Sequence, residues 1–267
     1  MLLTISHVTH YSYESPVNYG LQELRLVPQN DPGQQVRSWR IDIDGGRKEA
    51  QFRDQHGNEV WLVSFTGDRH EITVTSTGQV ETSDTAGVQG MHRGFAPLWY
   101  FLRETELTRC GDGIRNLVDA LRTPRSDSVP LLHELSACIL SRVSYQTGAT
   151  ESGHTAEQSL ASGAGVCQDH SHIFLSAARL LGLPARYVSG YLMLNDRVDQ
   201  QASHAWAEAH VDGLGWVGFD VSNGISPDAR YVRLATGLDY SDAAPISGMR
   251  FGSHGAESLV VNIQVAQ

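Results

Sequence analysis

Over the first 85 residues apolar and polar positions alternate or cluster as in strands, with β-rich segments at Leu3–Tyr13, Leu21–Val27, Val36–Ile43, Val60–Phe65 and His70–Val80. Pro28 through Gly33, Gly45-Gly46 and Asp54-Gln55-His56-Gly57-Asn58 are turn-forming sets that punctuate them. The pattern predicts an antiparallel sandwich-like or barrel-like module over 1–85. Its scattered histidines, His7, His10, His56 and His70, read as structural. Thr82–Gly94, rich in Gly, Ser, Thr and Asp, reads as a linker.

Helical spacing then begins. Pro97–Leu102, Ile114–Leu121 and Pro130–Val143 carry apolar residues at helical intervals, and a short helical piece falls near Ala156–Leu160. Ile173, Phe174, Ala177, Ala178, Leu180 and Leu181 mark a further helix that starts at Cys167 and stops at Gly182 and Pro184. Beyond it the period changes back to two, giving strands at Ala185–Met193, Ser203–Val211 and Trp216–Val221, with Asn195–Gln201 and Asp212–Gly215 as connections. Gly224–Gly255 reads as loop-rich, and Ser258–Val265 as a closing strand. The fold class expected is α+β, with a second unit over 86–267 in which the Cys167 helix packs on an antiparallel sheet.

Composition narrows the picture. A chain of 267 residues with 40% hydrophobic content can bury one large core or two modest ones. Its formal net charge of −10, without any long basic run, argues against nucleic acid or an anionic membrane as partner. No stretch approaches the roughly 18 uninterrupted apolar residues of a membrane span, and the opening residues lack the features of a signal peptide. Three widely spaced cysteines, Cys110, Cys138 and Cys167, fit a reducing compartment, so a cytoplasmic protein is expected. Cys138 reads as a small buried hydrophobe and Cys110 as incidental.

Candidate chemistry centres on Cys167. At a helix start, unpaired backbone N–H groups and the positive end of the dipole favour an anionic sulfur and offer donors to an oxyanion. In Ser203–Val211, period two places His204, Trp206, Glu208 and His210 on one face and Ala205, Ala207, Ala209 and Val211 on the other. A hairpin through Asp212–Gly215 brings Asp220 back towards His204. Pairing Val211 with Trp216, however, puts Asp220 opposite Ala207, on the alanine face. A bulge or altered turn that sets Asp220 opposite Trp206 returns it to the His204 face. With that shift, Cys167 is a nucleophile, His204 its base and Asp220 the group that orients His204. The Cys167 N–H, with Gln158 or Tyr145, supplies candidate oxyanion donors. Gln168 and Trp206 are further site candidates, and Trp206 and Glu208 could equally be ordinary packing.

Other chemistries are less well supported. Cys167, His170, His172, His204 and His210 offer a soft metal set. No C-x-x-C or H-E-x-x-H is present, though, and His170 and His172 do not share the Cys167 face of a helix. No Gly-rich phosphate loop and no G-x-S-x-G elbow occurs. Neither a metal nor a cofactor is expected.

The run Gly165-Val166-Cys167-Gln168-Asp169-His170-Ser171-His172 is followed by Leu-Leu-Gly-Leu-Pro-Ala-Arg-Tyr-Val-Ser-Gly-Tyr-Leu, Ser-His-Ala-Trp-Ala-Glu-Ala-His-Val and Trp-Val-Gly-Phe-Asp. Together these resemble the bacterial transglutaminase-like superfamily, whose core is related to papain-type cysteine proteases. The resemblance covers roughly 145–222. Residues before 85 are similar to the β-rich N-terminal region of one bacterial subgroup, and Gly237-Leu238-Asp239-Tyr240 with Pro245-Ile246-Ser247-Gly248 resembles that subgroup's tail. Val221-Ser222 stands where the family more often has Pro-Thr, and Leu238 where a basic residue is usual. The resemblance implies a papain-like core with Cys167, His204 and Asp220 as nucleophile, base and orienting acid. It implies attack on a peptide, protein or isopeptide amide through a thioester, with hydrolysis favoured over amine transfer. A metal-dependent hydrolase and a non-catalytic peptide-binding module are the competing readings.

Overall fold

The computed structural model describes residues 1–124, 126–151, 153–251 and 256–267. The N-terminal region is built from two long strands. β1 (Leu2–Val27) and β4 (Glu59–Thr82) pair antiparallel along nearly their whole length, flanking β2 (Gln34–Asp44) and β3 (Arg47–Arg53). The sequence predicts two strands each for β1 and β4. The chain instead stays extended and bends at register irregularities, one of them between Ser12 and Val17, where Pro16 removes a ladder donor. β2 then covers the second half of β4 and β3 its first half.

The linker is partly ordered into β5 (Val88–Gly90), and a 3-10 helix at Leu98–Leu102 stands where helical spacing begins. Next come α1 (Asp112–Asp119), α2 (Ser128–Arg142), β6 (Ser144–Tyr145), α3 (Ala156–Ser162), β7 (Ala164–Gly165) and α4 (Cys167–Leu180). The chain then forms β8 (Ala185–Leu192), β9 (Asp199–Gln200), β10 (His204–Val211), β11 (Gly215–Phe219) and β12 (Tyr231–Gly237). It closes with α5 (Tyr240–Ala243), β13 (Ile246–Phe251) and β14 (Glu257–Ala266).

The region expected to be loop-rich thus contains β12, α5 and β13; residues 252–255 of it lie outside the described residues. β12 escapes a period-two reading because six of its seven residues are buried, which removes the alternation. β13 and β14, placed by sequence in the unit 86–267, both pair with β1 in the N-terminal sheet.

Three layers result. The N-terminal sheet runs β2-β4-β1-β14-β9, and the second runs β12-β8-β10-β11-β5. Between them Leu3, Ile5, Leu24, Val63, Val74 and Val265 pack against Tyr191, Val232 and Leu234. On the other face of the second sheet lies α4, against the alanines of β10 and enclosed by α1, α2 and α3. Every residue from Asp169 to Arg179 is buried, so α4 is a core helix and not a surface one. Such burial holds its first turn rigidly. No helix among the described residues is long and apolar enough to cross a membrane.

Candidate active site

The start of α4 is fixed by a carboxylate. Asp169 is buried, and its Oδ2 accepts from Val166 N at 2.8 Å and from the Thr150 hydroxyl at 2.6 Å, while Oδ1 accepts from the Ser159 hydroxyl at 2.6 Å. One side chain therefore caps the helix entry and ties it to α3 and the 146–155 segment. Cys167 lies between the two ends of this anchor, Val166 and Asp169, at the first helical position, where N–H groups have no intrahelical acceptor.

The β10–β11 hairpin has the shifted register. Val211 pairs with Gly215 and Ala207 with Phe219, so the ladder, continued by one residue, carries Asp220 to the position opposite Trp206. The turn is one residue tighter than the simplest reading because Gly213 and Gly215 both adopt positive φ, 82° and 80°. A Cβ on Gly215 would also come within 2.1 Å of the Gly90 carbonyl oxygen.

His204 Nε2 lies 2.6 Å from Asp220 Oδ2, and the Cys167 thiol is a second hydrogen-bond partner of the same imidazole, which leaves Nδ1 for the sulfur. Burial alone would lower the His204 pKa; the bonds to Asp220 and Cys167 outweigh it and raise it to about 10. Asp220 is fully buried. Burial would raise its pKa, but the His204 bond and charge, with Asn223 and Tyr231, hold it below the ordinary carboxylate range.

Two of those partners lie outside the sequence-derived set. Asn223 Nδ2 and the Tyr231 hydroxyl each donate to Asp220 Oδ2 at 2.7 Å, and Asn223 N donates to Oδ1 at 3.2 Å. Asn223 carries a weak signal, an amide three residues after the carboxylate. Tyr231 has none, since β12 reaches Asp220 only through tertiary packing.

The remaining candidates disperse. Gln158 is spent on helix capping: its Oε1 accepts from Thr155 N at 3.0 Å while Thr155 Oγ1 accepts from Gln158 N at 3.3 Å. Tyr145, half-exposed, sits in β6 beside Gly165 and senses both Cys167 and Asp220; burial and those charges raise its pKa. Gln168 occupies the first turn next to the thiol. Trp206 is 1% exposed and forms a floor, stacked beside His204 at 6.3 Å and edge-on to Tyr231 at 5.4 Å. Glu208 is no site wall: it is buried in an ion cluster with Arg186 and Arg233.

The histidines of the metal alternative also face different ways. His170 donates through Nε2 to the Val143 carbonyl at 3.0 Å and accepts at Nδ1 from Ser222 at 2.8 Å, so the hydroxyl of Ser222 links α4 to the loop after Asp220. His172 accepts from Tyr240 N at 3.2 Å. His210 packs on Trp216 at 5.5 Å. No group of three or more potential ligands with metal-holding geometry occurs among the described residues.

Residues 3–81 match the bacterial transglutaminase-like N-terminal region, and residues 115–221 match the transglutaminase-like superfamily. The chain belongs to the transglutaminase-like superfamily and carries the bacterial N-terminal region ahead of its core. It is 27% identical over 292 residues to an uncharacterized protein of Mycobacterium leprae, covering 99% of this chain and 98% of that one. An uncharacterized protein of Mycobacterium tuberculosis is 27% identical over 289 residues, covering 98% and 90%. The crystal structure of a candidate cysteine protease from Cytophaga hutchinsonii superposes with a TM-score of 0.76 at 21% identity, covering 100% of this chain and 90% of that one. That likeness extends to the whole fold.

Proposed function

We propose that the chain is a cysteine-dependent amide hydrolase that works through a thioester on Cys167. The observation that carries this reading is the single line of contacts from Asp220 through the His204 imidazole to the Cys167 thiol at a helix start. An imidazole protonated up to about pH 10 beside a sulfur is the partner a thiolate needs.

Cys167 Sγ attacks the amide carbonyl, forming a C–S bond as the carbonyl oxygen takes up negative charge. The Cys167 N–H, at the helix start, and the Tyr145 hydroxyl, close enough for Cys167 to perturb it, are the proposed donors to that charge. His204 gives its proton to the departing nitrogen, the C–N bond breaks, and a thioester remains. Neutral His204 then takes a proton from water, whose oxygen attacks the thioester and releases a carboxylic acid and Cys167. Asp220, fixed by Asn223 and Tyr231, keeps His204 oriented and its charged form stable throughout. An amine in place of water would give a new amide instead. We favour water, and a peptide or isopeptide as substrate. Residues 86–245 would carry the chemistry, with β13 and β14 serving the N-terminal sheet.

The three free cysteines suit a reducing, cytoplasmic location. Cleavage of a fluorogenic peptide library tests the activity. The reading expects turnover that disappears in Cys167→Ala and survives chelators. Full activity of Cys167→Ala would overturn it, and loss on chelation would transfer the reaction to a metal.

A further inference from the structure

A cleft lies on the face of the β8–β10–β11 sheet away from α4, between that sheet and the N-terminal one. Its volume is about 460 Å³, within the roughly 300–1,000 Å³ of small-molecule sites. Parts of three segments, within 29–34, 53–58 and 89–94, form its walls, and Arg186, Trp216 and Arg233 its floor. None of the groups placed around Cys167 lines it.

Its charge is opposite to that of the chain. The protein carries a net charge of −10, yet Arg53, Arg93, Arg186 and Arg233 line this cleft with one lining carboxylate, Asp31, and Glu208 is buried behind Arg186 and Arg233. Those two are already engaged. Arg233 is held by Asp31 at 3.1 Å and by Glu208 at 2.9 Å, so it is a fixed strut. Arg186 meets Glu208 through Nε at 2.7 Å and Nη2 at 2.6 Å and lies 4.1 Å over the Trp216 ring, which sets its guanidinium plane. Among the described residues its Nη1 takes no hydrogen bond, and Arg93 makes no ion pair. Arg53 donates only to Gln29, at 3.0 Å. The cleft therefore offers one fixed guanidinium edge, that of Arg186, and two exposed guanidinium groups, Arg53 and Arg93, to an anion.

Two unpartnered atoms accompany them. Gln89 Oε1 and His56 Nδ1 are both buried without a hydrogen-bond partner among the described residues, and both residues line this cleft. A ligand that brings an N–H to the Gln89 oxygen would satisfy an acceptor that no protein donor among the described residues reaches. Guanidinium donors beside the unpartnered Gln89 oxygen match a carboxylate next to an amide N–H. The geometry points to a binding site for the free carboxy-terminus of a peptide. This goes beyond the thioester reading and does not depend on it.

Calorimetric titration of the full-length Cys167→Ala protein separates the two. N-acetyl-Ala-Ala is the probe, its carboxamide the charge-free control, and inorganic phosphate the competitor. The free acid is expected to bind, the carboxamide at least about tenfold more weakly, and phosphate not to displace the acid. Arg53→Ala/Arg93→Ala alters only exposed side chains and, with its melting temperature confirming the fold, is expected to weaken the free acid about tenfold. Equal binding of acid and carboxamide, binding unchanged in the double variant, displacement by phosphate, or no binding at all would each overturn the assignment.

Discussion

His204 Nε2 stands 2.6 Å from Asp220 Oδ2, although period-two reading of the hairpin puts these residues on opposite faces. The contact exists because the turn closes on Gly213 and Gly215 at positive φ. Gly215→Ala adds both an unfavourable φ and a clash with backbone, and should destabilise the fold by about 2 kcal/mol or more while lowering activity further than stability accounts for. Gly213→Ala meets no atom within 4 Å and carries only the backbone cost of about 1 kcal/mol. Urea unfolding of both variants checks the order. Equal losses would mean that the register is set elsewhere.

Asp220→Asn keeps the shape but removes the charge that holds His204 protonated. Amide turnover should fall on the order of 10³-fold, and the alkaline limb of the pH–rate profile, set near 10 in the parent, should move down. Tyr231→Phe removes one donor to Asp220 and should cost roughly tenfold in turnover with a smaller movement in the same direction. An unmoved alkaline limb in Asp220→Asn would separate the carboxylate from the imidazole's chemistry.

Three histidines with large shifts dominate the histidine contribution to stability against pH; burial lowers His170 and His210 in the same direction as His7 and His172. Burial pushes His7 and His172 down from 6.5 to about 4. The unfolded chain binds their protons first, so stability falls as pH drops from 6.5 to 4 and levels off below. His204 runs the other way: its folded pKa is raised to about 10, so its contribution is complete below 6.5 and is lost as pH rises through 10. The three together predict a maximum close to 6.5, seen as the highest urea midpoint, with a shallower alkaline loss in Cys167→Ala. A midpoint that stays flat from pH 4 to 10 would contradict these assignments.

Asp169→Ala strips the Val166 N–H and the Thr150 and Ser159 hydroxyls of their acceptor. It should destabilise by about 2–4 kcal/mol and reduce the rate at which Cys167 reacts with iodoacetamide, because the helix start would no longer be held. Unchanged thiol reactivity in a folded variant would assign Asp169 to stability alone.

How far these features were legible varied with burial and distance. α4 declared itself, since a cysteine at a glycine-preceded start and apolar spacing to Gly182 are local signals. The alanine face of β10 was readable for the same reason, and it does pack on α4. β12 was not, because burial on both faces erases the period that marks a strand. Tyr231 was lost with it. Glu208 looked like a companion of His204 on one face, but the sheet's far side closes on it with Arg186 and Arg233. β13 and β14 return to β1 over more than two hundred residues of chain, a pairing no local pattern announces.

The central claim is that an acyl group passes through Cys167. Intact-mass analysis after brief incubation with peptide and isopeptide amides, quenched in acid, tests it most directly. A mass increase equal to the acyl fragment, mapped to Cys167, absent in Cys167→Ala and prolonged in Asp220→Asn, is the predicted result. Turnover of those amides by the parent with no acyl adduct at any quench time, or an adduct that persists in Cys167→Ala, would contradict the account.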